Sequence, residues 1–339
     1  MGPRPFACLL STLLLSPLVA GAQTPRTALI QFAPSVVKIE AVDADGRYQL
    51  GSGVIVAPAK VVTNCHVTRK AARVAIVKHG LRNSASGQIA DTARDLCLLR
   101  VPGLEGDPVP IAKAATLKSG DIVTAVGYTG GVGVQLSDGV VVAKHRWSGS
   151  DIIQSTNWFS SGASGGALFN DSGALVGILT FRLRGGAAHY FSAPADWLLD
   201  RLDDDRGLAR VAPLSGLTFW EEMTDAQPYF LRAAALEQNR QWHALAELAQ
   251  RWTLEAQNEA EPHYTQAVAY EGLGRLDDSI RALHRCTELD PGYSRGWARL
   301  AQVYRRQGRL QDARQTLRAL AAVDPQLAEE VSTELEKKP

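Results

Sequence analysis

The 339-residue chain has almost no charge surplus: 36 Lys and Arg stand against 35 Asp and Glu, a formal net charge of +1. Composition therefore offers no basic face for nucleic acid and no acidic tail. Methionine is scarce, with two residues, and so is cysteine, with four. No C-x-x-C pair occurs, which argues against a thiolate metal site. Long apolar runs are absent after the first 22 residues, and a bilayer span needs ~20 residues. No lysine follows Gly130-Gly131-Val132-Gly133, and its flanks read as strands, so a phosphate loop is not expected there. What remains is 45% apolar and 21% charged, the make-up of a soluble globular protein. The length allows two domains at ~100–200 residues each.

The single strongly apolar run opens the chain. Arg4 supplies a positive start, Leu9 to Leu15 the apolar region, and Ala20-Gly21-Ala22 an A-x-A cleavage site before Gln23. Residues 1–22 are read as a cleaved export signal, cut after Ala22, with an uncleaved anchor as the alternative. The expected location is periplasmic or secreted, with no membrane span in the mature chain. Cys8 would leave with the signal, so that Cys65, Cys97 and Cys286 remain, an odd number.

The chemistry centres on Gly162-Ala163-Ser164-Gly165-Gly166, set between two apolar runs. A serine hydroxyl needs a neighbouring base to become a nucleophile. The charge that develops on an attacked carbonyl needs fixed donors. Glycines let backbone N–H groups approach that oxygen, so Gly162 and Ser164 are read as an oxyanion hole. A plain turn between strands is the alternative. A base and an orienting carboxylate are found upstream: His66 in Val61-Val62-Thr63-Asn64-Cys65-His66-Val67, and Asp95 in Arg94-Asp95-Leu96-Cys97-Leu98-Leu99. The separations are 29 and 69 residues. Three such contexts in the order His, Asp, Ser weigh against accident.

These contexts resemble the trypsin-like (chymotrypsin-fold) serine peptidases of the Deg/HtrA branch, over roughly residues 30–200. His66 falls in a T-N-x-H-V pattern, Asp95 in D-[LI]-x-L and Ser164 in G-x-S-G-G. The resemblance implies two six-stranded β-barrels, His66 and Asp95 on the first and Ser164 on the second. Short β-branched runs such as Ser35–Val42 and Arg73–Val77 agree with an all-β reading. The chain departs from the family at Ala163, where trypsin-like zymogens carry an aspartate and Deg proteases usually an asparagine. The PDZ domains of Deg proteases are missing as well, so their regulation is not carried over. The resemblance puts the specificity pocket at Trp158, Phe159, Leu179, Thr180 and Phe181, with Phe191 nearby. No acid lies among them, so apolar side chains are the expected preference; packed core aromatics are the alternative. If His66 and Asp95 meet, Cys65 and Cys97 lie close. A disulfide between them is one expectation, two buried thiols the other.

In the C-terminal third the composition turns to Ala, Leu, Arg, Glu and Gln. A period of 34 relates Ala267 to Ala301, Tyr270 to Tyr304, Gly274 to Gly308 and Pro291 to Pro325. This period resembles tetratricopeptide repeats (TPR). The expected layout is a signal peptide at 1–22, a trypsin-like protease domain at 23–205, a linker at 206–226 and a TPR domain at 227–339, with about three repeats and a capping helix. The fold class is thus an all-β double barrel followed by an all-α helical repeat. The expected function is a serine endopeptidase needing no metal or cofactor. Peptides or proteins are its substrates, and a partner protein is a candidate for the repeat groove. The rivals are a dormant protease-fold scaffold and another acyl hydrolase. An esterase serine would sit in a strand–turn–helix context that is absent here.

Overall fold

A computed structural model describes residues 32–131, 133–183, 190–202 and 205–336. The export signal read over residues 1–22 lies outside the described residues. Seven strands build the first unit: β1 (Val36–Val42), β2 (Tyr48–Ala57), β3 (Lys60–Thr63), β4 (Arg73–Lys78), β5 (Leu81–Ser84), β6 (Gly87–Asp91) and β7 (Leu96–Arg100). They form one antiparallel sheet in the order β5-β4-β1-β2-β3-β7-β6. Six more strands close into a barrel in the order β10-β13-β12-β11-β8-β9. They are β8 (Ile122–Gly127), β9 (Gln135–Trp147), β10 (Ser150–Ser155), β11 (Ala167–Asn170), β12 (Leu175–Arg182) and β13 (Tyr190–Pro194). The expectation of two six-stranded barrels is corrected for the first unit. There the largely exposed β5 adds a seventh strand at one edge. The opposite edge, β6, is not left open. Gln88 and Ala209 exchange backbone hydrogen bonds of 2.8 and 3.1 Å, so the chain after the second barrel covers it.

Branched apolar residues fill both interiors. Val37, Ile39, Ile55, Val61, Ile76 and Leu99 are sealed inside the first unit, and Val123, Ile153, Leu168 and Val176 inside the second. A third cluster joins the two, with Val54, Val62 and Leu98 packed against Val126, Phe169 and Ile178. This shared core fixes the units relative to each other and so fixes the cleft between them.

The C-terminal part is helical: α2 (Tyr229–Gln238), α3 (Trp242–Glu255), α4 (Ala260–Gly272), α5 (Leu276–Leu289), α6 (Ser294–Arg306), α7 (Leu310–Val323) and α8 (Pro325–Glu336); the short α1 (Cys65–Thr68) lies in the first unit. Three antiparallel pairs and a last helix match the 34-residue period. Ala267 and Ala301 are fully buried where helices approach. Gly274 and Gly308 both take φ of +73° in the turns between paired helices, a conformation that disfavours a Cβ. At the same offset in the first pair stands Arg240, with φ of +54°. No helix among the described residues is long and apolar enough to cross a membrane.

The helical part does not hang free. Phe230 stacks on His145 of β9 at 4.5 Å and shares one core with Ile152, Phe181 and Phe191 of the barrel. His145 also pairs with Glu261 of α4 and lies 2.9 Å from Gln154 Oε1. The stretch 206–226, read from sequence as a linker, is laid along the β-domain and feeds Phe219 into the same core.

Candidate active site

Register explains why His66 and Asp95 meet. Strands β3 and β7 run antiparallel, with Thr63 opposite Cys97. The residues just past the end of β3 therefore face those just before β7. A disulfide between Cys65 and Cys97, with Cα atoms 4.9 Å apart, ties the two ends together. Asp95 is fully buried and sits at φ of +58°, a left-handed conformation that Asp tolerates better than most residues. Its Oδ1 accepts the His66 backbone N–H at 2.8 Å, and its Oδ2 lies 2.6 Å from His66 Nδ1. A carboxylate at Nδ1 holds the ring proton there and turns the Nε2 lone pair outward. The Asp95 backbone carbonyl accepts from the Asn64 side chain at 2.9 Å and from Cys65 N–H at 3.3 Å.

Ser164 comes from the other side of the cleft. Its turn is built from glycines because nothing larger fits. A Cβ on Gly162 (φ +95°) would lie 2.5 Å from the Tyr128 carbonyl, and one on Gly165 (φ +87°) 2.1 Å from the Ser52 carbonyl. The turn is stitched to the first unit by Ser52. Ser52 N–H donates to the Ser164 carbonyl at 2.8 Å, and its hydroxyl donates to the Gly162 carbonyl at 2.7 Å. The same hydroxyl accepts Tyr128 N–H at 2.8 Å. Among the described residues the N–H groups of Gly162 and Ser164 donate to no protein acceptor. The two halves of the site meet at Thr180. Its hydroxyl lies 3.3 Å from Asn64 Nδ2, and its carbonyl accepts a long hydrogen bond of 3.4 Å from Ser164 Oγ. No hydrogen bond joins Ser164 Oγ to His66 in this state.

Beside the serine turn lies a cavity of about 310 Å³, with Ala125, Leu136, Trp158, Phe159, Ala163 and Leu179 among its lining residues and no charged group in its wall. Trp158 is 53% exposed at its rim, while Phe159 is buried. The other two residues read as pocket walls do not line it. Thr180 is buried, with its hydroxyl bonded to the Ile178 carbonyl at 2.7 Å. Phe181 turns away to stack on Phe191 at 4.8 Å and on Trp220 at 5.4 Å. The cause is a bulge. Leu179 pairs with Ser192 and Phe181 with Phe191, so Thr180 is an extra residue, and Phe181 leaves the face that Leu179 keeps.

Two residues of the site escaped sequence reasoning. Ser52 hides between two glycines in the middle of β2. Trp220 falls in the presumed linker, yet its indole N–H donates to Asp95 Oδ2 at 3.0 Å. The adjacent aromatic pair Phe219-Trp220 in a polar stretch is the signal that this segment packs.

Comparisons with known proteins bear on the two parts of the chain. The family described as trypsin-like peptidase domain matches residues 51–178, and the tetratricopeptide repeat family matches residues 270–333. A probable periplasmic serine endoprotease, DegP-like, from Buchnera aphidicola is 35% identical over 39% of this chain and 30% of its own length. The periplasmic pH-dependent serine endoprotease DegQ of Escherichia coli is 35% identical over 40% of this chain and 32% of its own. The chain thus spans about a third of the length of these relatives. A crystal structure of the Rv3671c protease from M. tuberculosis in its active form shares the fold, with a TM-score of 0.50 and 22% identity over 62% of this chain and 99% of that one. Residues 51–178 thus match a trypsin-like peptidase domain and are similar to the Deg/HtrA serine endoproteases, and residues 270–333 match a tetratricopeptide repeat.

Proposed function

We propose that the chain is a serine endopeptidase acting in the periplasm or outside the cell, with residues 23–205 as its catalytic domain and residues 227–339 as a protein-binding or regulatory module. The observation that carries the reading is the buried Asp95 carboxylate 2.6 Å from His66 Nδ1, across a cleft from a glycine-cradled Ser164. In this scheme His66 Nε2 takes the proton of Ser164 Oγ as that oxygen attacks a peptide carbonyl. Asp95 keeps the ring oriented and stabilises its cation. The N–H groups of Gly162 and Ser164 receive the oxyanion. His66 returns the proton to the leaving amine, and water then hydrolyses the acyl-enzyme by the same route. The uncharged cavity beside the serine suits an apolar side chain, such as leucine or phenylalanine. The disulfide between Cys65 and Cys97 fits an oxidising compartment, as does an export signal cut after Ala22.

Hydrolysis of casein and of an apolar peptide library tests the proposal. Activity is expected in the wild type and a fall of about 10⁴-fold or more in Ser164→Ala and in His66→Ala. Equal activity in the wild type and Ser164→Ala would exclude it. The second reading, a dormant scaffold, draws on one observation: Ser164 Oγ points to the Thr180 carbonyl and not to His66. Catalytic hydrogen bonds are often loose before substrate binds, and for that reason the enzyme reading is preferred.

A further inference from the structure

We propose that Trp220 is a positioning residue of the peptidase centre, supplied by the segment that leads into the helices. This rests on the roles given above to His66, Asp95 and Ser164. Asp95 is sealed from solvent, and its carboxylate accepts three hydrogen bonds. Two come from His66 itself. The third, from Trp220 Nε1 at 3.0 Å, is the only one from elsewhere among the described residues. Two donors on one residue leave the carboxylate free to rock together with that residue. A third donor from a separate element fixes the carboxylate plane, and through it the imidazole.

The indole also shields the ring. It meets His66 edge-on at 5.4 Å and stacks on Phe181 at 5.4 Å. Trp220 is itself held on both sides. Phe219 N–H donates to the Ala93 carbonyl at 3.0 Å, two residues before Asp95. Glu221 pairs with Arg69, three residues after His66, and accepts the Thr218 hydroxyl at 2.9 Å. The Trp220 carbonyl accepts from Gln227 at 3.1 Å, at the threshold of α2. Phe219 joins Trp147 and the helical core. The centre is therefore completed by chain well outside the matched peptidase residues 51–178. Trp220 is not among the residues that line the cavity beside Ser164. Its loss should therefore slow proton transfer while leaving substrate binding alone.

The test is steady-state cleavage of a peptide that the wild type turns over, using full-length protein. Trp220→Phe keeps a ring and removes the N–H. The expected result is a fall in kcat of about tenfold or more, with KM held to within about twofold. The rate of fluorophosphonate acylation of Ser164 should fall in parallel. Where Trp220→Phe does not fold, the benzothiophene isostere of tryptophan at position 220 replaces only N–H by sulfur and carries the same expectation. A folded variant without the N–H that keeps kcat within about twofold of wild type overturns the proposal, as does a loss confined to KM. Failure of the underlying reading looks different: the wild type itself would be inert, or Ser164→Ala would cleave as well as wild type.

Discussion

Asp95 combines two costs, burial of a charge and a left-handed backbone, and both are offset locally. A buried carboxylate is tolerated when it is paired and fully hydrogen-bonded; Asp95 has His66 and Trp220 for this. His66 and Asp95 were legible in the sequence because each sits in a short apolar context that points it at a strand end. Ser52 and Trp220 were not, because their partners lie 110 and 125 residues away. Their meaning exists only after the two β units close. Ser52 gives a test at this scale. Ser52→Ala leaves the Tyr128 N–H and the Gly162 carbonyl without their partner in a half-buried setting. A stability loss of about 1–3 kcal/mol is expected in denaturant unfolding, the usual penalty for an orphaned buried group. Peptidase activity should fall further than stability does, because the same hydroxyl anchors the turn that carries Ser164. Unchanged stability and activity would contradict the stitching role.

At the scale of elements, short runs of β-branched residues announce the β architecture, and the 34-residue period announces the helical one. Strand count and side-chain facing are harder to read. The bulge at Thr180 is one inserted residue in the pairing of β12 with β13, and no local pattern marks it. It redirects Phe181 from the expected cavity wall to the interface with Trp220. The pairing of β3 with β7 carries a second test. Cys65→Ser with Cys97→Ser opens a loop whose ends hold His66 and Asp95. A stability loss of about 4 kcal/mol is expected in thermal or denaturant unfolding, as for a loop of this size. Loss of activity should appear at temperatures below the unfolding midpoint of the variant. A double variant as stable and active as wild type would show the bridge to be dispensable. Cys286 is a different case: burial, with Asp290 nearby, pushes its thiol up to about 12, so it should resist alkylation until the helices unfold.

Over the whole molecule, the peptidase domain and the helical repeats share one apolar cluster, and the segment before α2 binds them at the Asp95 carboxylate. A charged run marks a boundary near residue 205, but no sequence period describes a non-repeating strap. Its packing rests on aromatic residues and a few ion pairs, of which Arg69 with Glu221 is nearest the site. Burial alone would raise the Glu221 carboxyl, yet hydrogen bonds from Arg69 and Thr218 hold it below its ordinary value of 4.5. The unfolded chain thus binds the proton more readily than the folded one. The contribution of this group is complete above pH 4.5 and is lost as pH falls through the lower folded value. Melting curves from pH 7 down to pH 3 should show Glu221→Gln less sensitive to acid than wild type below about pH 4.5. Parallel acid profiles would mean that the ion pair adds nothing.

The central claim is that Ser164 is an assembled nucleophile served by His66 and Asp95. Intact-mass analysis of the folded protein after treatment with a fluorophosphonate probe tests it most directly, with Ser164→Ala beside it. One adduct on the wild type and none on Ser164→Ala is the predicted result. A folded wild type that takes no adduct, or an adduct that persists in Ser164→Ala, would contradict it.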